Sequence, residues 1–172
     1  MRFIQIMAIS LVAVLAFAHV GNTATADLPA TTDLQADGQL ALKKQLPIMV
    51  VFTAENCPYC SALESEQLRP MMISGEYDNK VIIRTLQIDT FKDVIYFNGK
   101  PIPAETLAQK FNVWVTPTIM FFDHKGNTLA PKIIGYNTPE MFSGYLDESI
   151  DQSRRMMRSE LASNGSQAKP TL

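Results

Sequence analysis

Apolar and polar positions change rhythm several times along this chain, and each change marks an element. From Phe3 to Val20 the sequence is almost uninterruptedly apolar, broken by Gln5, Ser10 and His19. From Asp33 to Gln45 the pattern predicts a helix with Leu34, Leu40, Leu42 and Leu46 as its apolar positions. Gly38 weakens that helix and Pro47 ends it. Ile48-Met49-Val50-Val51-Phe52 is a short, wholly apolar run, the pattern of a strand buried on both faces. Pro58 suits the first turn of a helix, which Ser61 to Leu68 continues and Pro70 is expected to kink or end. Val81 to Ile88 reads as a second strand, and Pro103 to Phe111 as a helix with Leu107 and Phe111 four apart. Thr118 to Phe122 and Thr128 to Gly135 read as two further strands, joined by the turn Asp123-His124-Lys125-Gly126-Asn127. Thr138 is placed as a helix N-cap with Pro139 behind it, and Phe142, Tyr145, Leu146 and Ile150 share one face. The order strand, helix, strand, helix, strand, strand, helix predicts an α/β fold, a mixed central sheet with helices on both faces.

The two ends set the domain limits. One positive charge at Arg2, the apolar run and the small-residue site Ala24-Thr25-Ala26 read as a secretory signal peptide over residues 1–26. An uncleaved anchor is the alternative, since the run is nearly long enough to span a bilayer. Residues 27–158 then form one domain, and the polar stretch Ser163 to Pro170 marks residues 159–172 as a disordered tail. About 145 residues suffice for a single real core. Removing Arg2 from the 15 basic residues leaves 14 against 17 acidic ones, a mature net charge of about −3. That balance argues against nucleic acid or an anionic membrane as partner, because either needs a dense basic face. Lys43-Lys44 and Arg154-Arg155 read as solvated helix faces.

The chain has two cysteines, Cys57 and Cys60, three positions apart and directly after the apolar strand. Three uses compete. A structural disulfide closing so short a loop contributes roughly 2 kcal/mol on the chain-entropy model, against about 4.7 for a 100-residue loop. Zinc needs four ligands, and His19 leaves with the signal while His124 sits in a distant turn, so no metal is expected. A redox dithiol fits better. Cys57 lies at a helix start, where unpaired N–H groups and the dipole favour a thiolate that attacks disulfides. Cys60, one turn on, shares that face and resolves the mixed disulfide. The short spacing makes its attack intramolecular.

The strand, Cys57-Pro58-Tyr59-Cys60 and helix, followed later by Thr116-Pro117-Thr118 opening another strand, resemble the thioredoxin fold. The same tetrad is carried by glutaredoxins and by a subgroup of dithiol isomerases. The run from Val50 to Cys60, the insert Tyr96-Phe97-Asn98-Gly99-Lys100-Pro101 and Ile134-Gly135-Tyr136 are similar to secreted thioredoxin-related proteins of the SoxW type. This resemblance implies a redox-active Cys57–Cys60 disulfide, a cis peptide before Pro117, and substrate docking by Thr116, Pro117 and Tyr59. It also implies no cofactor, a disulfide-containing or thiol protein as substrate, a membrane-embedded electron donor, and a monomer in the periplasm or outside the cell.

A binding module or chaperone on the same scaffold, or a disulfide oxidase or isomerase, is the alternative function. The chain also departs from the closest thioredoxins, which carry a buried acid six positions before the first cysteine, where Val51 stands here. Glu55 or water is left to take the proton of Cys60, with a plain surface role the better reading of Glu55. Trp114 and Phe111 are candidates to line the dithiol surface, with core packing the better reading for both, and Met71-Met72 and Met156-Met157 are expected as gap fillers on helix faces. If residues 1–26 are a signal, mass spectrometry of the exported protein will find its N-terminus at Asp27. A full-length chain retained in the membrane would show an anchor instead.

Overall fold

A computed structural model describes residues 27–167. The expected signal and the last five residues of the expected tail lie outside them. The elements in chain order are α1 (Leu34–Lys44), β1 (Ile48–Thr53), α2 (Pro58–Leu63), a π-helical turn (Glu64–Leu68), α3 (Arg69–Ser74), β2 (Ile82–Gln87), β3 (Asp93–Ile95), β4 (Pro101–Pro103), α4 (Ala104–Lys110), β5 (Thr118–Phe122), β6 (Ile133–Ile134) and α5 (Pro139–Gln167). The main sheet runs β2-β1-β5-β6; β1 is parallel to β2 and antiparallel to β5, and β5 is antiparallel to β6. No helix among the described residues is long and apolar enough to cross a membrane.

β1 is buried on both faces from Ile48 to Phe52, as its unbroken apolar run requires. On the face that carries Phe52 and Phe122, Phe111 packs 4.9 Å from the Phe122 ring and 6.4 Å from Phe52. Full burial of each such ring stabilises by about 1.5–3 kcal/mol. The antiparallel register sets Phe52 opposite Thr118, so the C-terminal end of β1 and the start of β5 lie side by side.

Asp33 caps α1 by accepting the Ala36 N–H at 2.8 Å. The buried face of α1 is Leu34, Asp37, Gly38 and Ala41; Leu42, expected inside, is 48% exposed. Gly38 is there for contact, since a Cβ would lie 2.6 Å from the His124 carbonyl oxygen. Buried Asp37 accepts from Thr31 Oγ1 at 2.5 Å and Arg84 Nε at 2.6 Å, which satisfies its charge and ties the N-terminal segment and β2 to α1. The Thr31 N–H reaches the Thr85 carbonyl and the Ile95 N–H the Thr32 carbonyl, so this segment bridges β2 and the β3–β4 hairpin. The residues read as an insert, Tyr96 to Pro101, form the turn of that hairpin and the first residue of β4.

Four expectations change. Pro70 does not end the helix: the π turn before it lets Arg69 donate to the Glu64 carbonyl, five residues back, and the helix continues to Ser74. The strand expected over 128–135 shrinks to Ile133–Ile134 plus a bridge between Phe122 and Thr128, because Pro131 interrupts the ladder. Thr138 does not cap with its side chain, which donates to the Asn137 carbonyl at 2.8 Å. Residues 159–167, expected in the tail, extend α5. Buried Ile150, Ser153 and Met157, followed by partly buried Leu161, continue the face begun by Phe142 and Leu146.

That extension makes two predictions. Met157→Ala, in a side chain 1% exposed, is expected to lower stability by about 2–4 kcal/mol in urea unfolding. An effect within about 0.5 kcal/mol, typical of a surface position, would mean the helix end does not pack. The second concerns Glu160, which bonds the Asp123 carboxyl. Burial raises Glu160 above the ordinary carboxylate value, and the bond to Asp123 and its charge add to this. On Asp123 burial acts upward, but hydrogen bonds from Asn127, Lys125 and Glu160 outweigh it and hold the carboxyl low. A raised acid stabilises below its unfolded value, and that stabilisation is lost as pH rises through the folded one. Glu160→Gln keeps a donor and removes the titration. Its Tm at pH 7 is expected at or above that of the wild type, with the gap closing in acid; a lower Tm at pH 7 would contradict the coupling.

Candidate active site

β1 delivers the chain into a turn in which Asn56 takes a left-handed φ of 53°, and Cys57 becomes the N-cap of α2. Pro58 occupies the first helical position, where its missing N–H leaves nothing unpaired. The Cys57 sulfur accepts the Cys60 N–H at 3.2 Å. Cys57 and Cys60 are joined by a disulfide with their Cα atoms 5.2 Å apart. Cys60 is only 9% exposed while Cys57 is half-buried, so one sulfur faces outward and the other inward.

The start of β5 faces this pair. The peptide between Thr116 and Pro117 is cis, and Thr116 Oγ1 lies 3.5 Å from Cys57 Sγ. Two bonds fix the loop. Thr118 Oγ1 donates to the Val115 carbonyl at 2.6 Å, and the Gly135 N–H after β6 donates to the Pro117 carbonyl at 2.8 Å. Tyr136 then ties this side to the cysteine helix: its hydroxyl donates to Glu66 Oε2 at 2.7 Å and accepts from Gln67 Nε2 at 3.2 Å, both on the π turn. Burial lifts the Tyr136 phenol above its ordinary value; the Gln67 bond opposes this and Glu66 adds to it.

Two open clefts flank the disulfide. One, of about 520 Å³, lies beside Thr116 and is lined by Ile88, Phe91, Ala108, Val113 and Trp114 among others. The other, of about 580 Å³, reaches Cys57 and Cys60 and is walled by Thr53, Thr85, Ser61 and Glu64.

The structure thus brings Cys57, Cys60, Thr116 and Pro117 together. Tyr59 stands 64% exposed on the outer surface of the tetrad. Phe111 packs in the core, but Trp114 does not: it is 72% exposed on the rim of the first cleft, because the α4 exit turn carries it outward. Phe91, fully exposed, is a second aromatic on that rim that the pattern did not single out. Val51 is buried and pairs with Thr85, so no acid stands at that place. Glu55 is exposed, gives its N–H to Asp89 Oδ2 at 2.8 Å, and does not line the Cys60 cleft. Glu64 does line it, and its spacing of four residues from Cys60 along a helix was the available signal. His124 lies beyond the far end of β5.

Among curated proteins the chain is similar to the thiol:disulfide interchange protein DsbD of Yersinia pestis strains, 27% identical over 132 residues. The match covers 76% of this chain but 20% of the relatives, so the chain spans about a fifth of their length. Among solved structures it is similar to oxidised mitochondrial thioredoxin 3 of Saccharomyces cerevisiae, with 20% identity, TM-score 0.48, and coverage of 70% of this chain and 94% of the other. Thioredoxin O2 of Arabidopsis thaliana matches at 21% identity and TM-score 0.46, over 70% of this chain and 92% of the other. The thioredoxin-like domain family matches residues 34–150, a span that holds β1, the Cys57–Cys60 pair, the Thr116–Pro117 loop and the whole sheet, and the chain belongs to that family.

Proposed function

We propose that this thioredoxin-like thiol–disulfide oxidoreductase reduces disulfides of a partner protein in the periplasm or outside the cell, acting as a monomer of the SoxW type. One observation carries the reading: a Cys57–Cys60 disulfide at a helix start, its outer sulfur beside Thr116 and its inner sulfur buried. In the reduced protein Cys57 attacks a substrate disulfide, aided by the N–H groups of the first helical turn. A mixed disulfide forms and one substrate sulfur leaves. Cys60 then attacks Cys57, the intramolecular disulfide re-forms, and the second substrate sulfur leaves with the electron pair. Thr116 and Pro117 dock the substrate chain beside Cys57, and Tyr59 contributes exposed apolar surface to the same contact.

Export is supported by the Phe3–Val20 run and the Ala24-Thr25-Ala26 site. The likeness to proteins named for thiol:disulfide interchange supports exchange with a second protein. A membrane-embedded reductase is the proposed electron donor, as the SoxW-type resemblance implies.

Insulin reduction in the presence of a thiol reductant tests the activity. Cys57→Ser is expected to abolish it. Cys60→Ser is expected to keep the attack and block release, so the variant accumulates as a mixed disulfide that also identifies the partner. Faster alkylation of Cys60 alone than of Cys57 alone near neutral pH would reverse the roles. The reduction potential of the pair separates a reductant from an oxidase: a value near that of DsbA, about −120 mV, would rule out the reductant reading.

A further inference from the structure

The resolving step leaves one proton unassigned. Cys60 is nearly buried, Val51 has no acid to offer it, and Glu55 lies outside its cleft. We propose that Glu64 takes the proton from Cys60 as that thiol resolves the mixed disulfide, an inference that rests on the roles given to the two cysteines above.

The local geometry supports it in three ways. Glu64 lines the cleft that reaches Cys60, and it is the one carboxylate in that lining; no His, Lys or Arg is part of it. Its place is set by the backbone, since the Glu64 N–H donates to the carbonyls of Cys60 and Ser61. The π turn then brings Arg69, five residues on, over Glu64. On a regular α-helix, residues five apart point in different directions, because facing pairs are three and four apart. Arg69 Nε and Nη2 both bond Oε1, at 3.0 and 2.6 Å, which leaves Oε2 outside the pair. Single π turns often mark functional sites, and here the turn holds a carboxylate one helical turn beyond the inner sulfur.

The step balances. The Cys60 S–H proton passes to Glu64 Oε2, directly or through one water. The sulfur electron pair forms the bond to Cys57 Sγ, and the bond from Cys57 to the substrate sulfur breaks. The substrate leaves as a thiolate with two electrons, and the cysteine pair is left oxidised. Glu64, whose side chain is 36% exposed, then returns the proton to solvent, where the departing thiolate collects one. Arg69 is the charged group facing Glu64 from its own helix. From β1 and β2 the cleft wall presents Thr53 and Thr85, which do not titrate near neutrality.

The test separates attack from resolution. The reduced full-length mature chain is mixed with oxidised glutathione, and samples are acid-quenched and weighed across pH 5–9. In Glu64→Gln the mixed disulfide is expected to form and then persist, with the second step about tenfold or more slower at pH 7. The gap should close toward pH 9, where hydroxide can take the proton in the carboxylate's place. Arg69→Ala removes the same ion pair but keeps the carboxylate, and is expected to resolve within about threefold of the wild type. Equal second steps and equal pH profiles in the wild type and Glu64→Gln would overturn the assignment. So would an equal loss in Arg69→Ala, which would make the pair structural. A wild-type chain that never forms the mixed disulfide would instead sink the roles of the cysteines themselves, and this inference with them.

Discussion

Strand β1 is covered on both faces, and the geometry of the site depends on that burial. A strand of Ile48, Met49, Val50, Val51 and Phe52 has no side that tolerates water, so it must lie at the middle of the sheet between layers. β2 and β5 pair with its two edges, one parallel and one antiparallel. The antiparallel partner puts the start of β5 against the end of β1. Cys57 leaves β1 at that end and Thr116 enters β5 there, so two residues fifty-nine apart in sequence meet at 3.5 Å. A slip of one residue between β1 and β5 would turn Phe121 and Phe122 to opposite faces and carry Thr116 away from the sulfur.

The two sides of the site are then tied together by hydrogen bonds outside the sheet. Gly135 holds the Pro117 carbonyl and, one residue on, the Tyr136 hydroxyl holds Glu66 and Gln67. Loop and cysteine helix are thereby referenced to the same short strand, β6. Its two residues form little sheet, yet they anchor both halves of the site.

What could be read from the sequence was what depends on neighbours in sequence. The apolar run of β1, the Cys57-Pro58-Tyr59-Cys60 start of α2 and the apolar run of β5 each have a local pattern, and each lies where it was expected. Features set by distant partners were not legible. Gly38 read as a weak point in a helix, because nothing near it announces the His124 carbonyl that its missing side chain admits. Trp114 read as core because it sits on the exit turn of a helix, although that turn aims it outward. The end of α5 read as tail because Ser163 to Pro170 is polar and has no apolar period, and the core that Leu161 meets is far off in sequence. Pro70 read as a kink or an end, since a proline inside a helix normally removes a bond. The remedy, a wider turn just before it, involves backbone bonds that no side-chain pattern records.

That wider turn amounts to one surplus residue in an otherwise continuous helix from Pro58 to Ser74. Each residue of an α-helix advances the side chains by roughly 100°, so a surplus residue in a regular helix would turn everything after it. Here the wider turn absorbs it: Arg69 bonds the Glu64 carbonyl from five residues on, the place that a residue four on would hold in a regular helix. Deleting one residue from the turn would therefore let the helix close up regularly with Met71 still in the core and the arginine still over Glu64, now four positions apart. Homologues one residue shorter between the cysteines and this proline can accordingly present the same helix face to the sheet, and an alignment that opens its gap in the turn pairs equivalent residues on both sides of it.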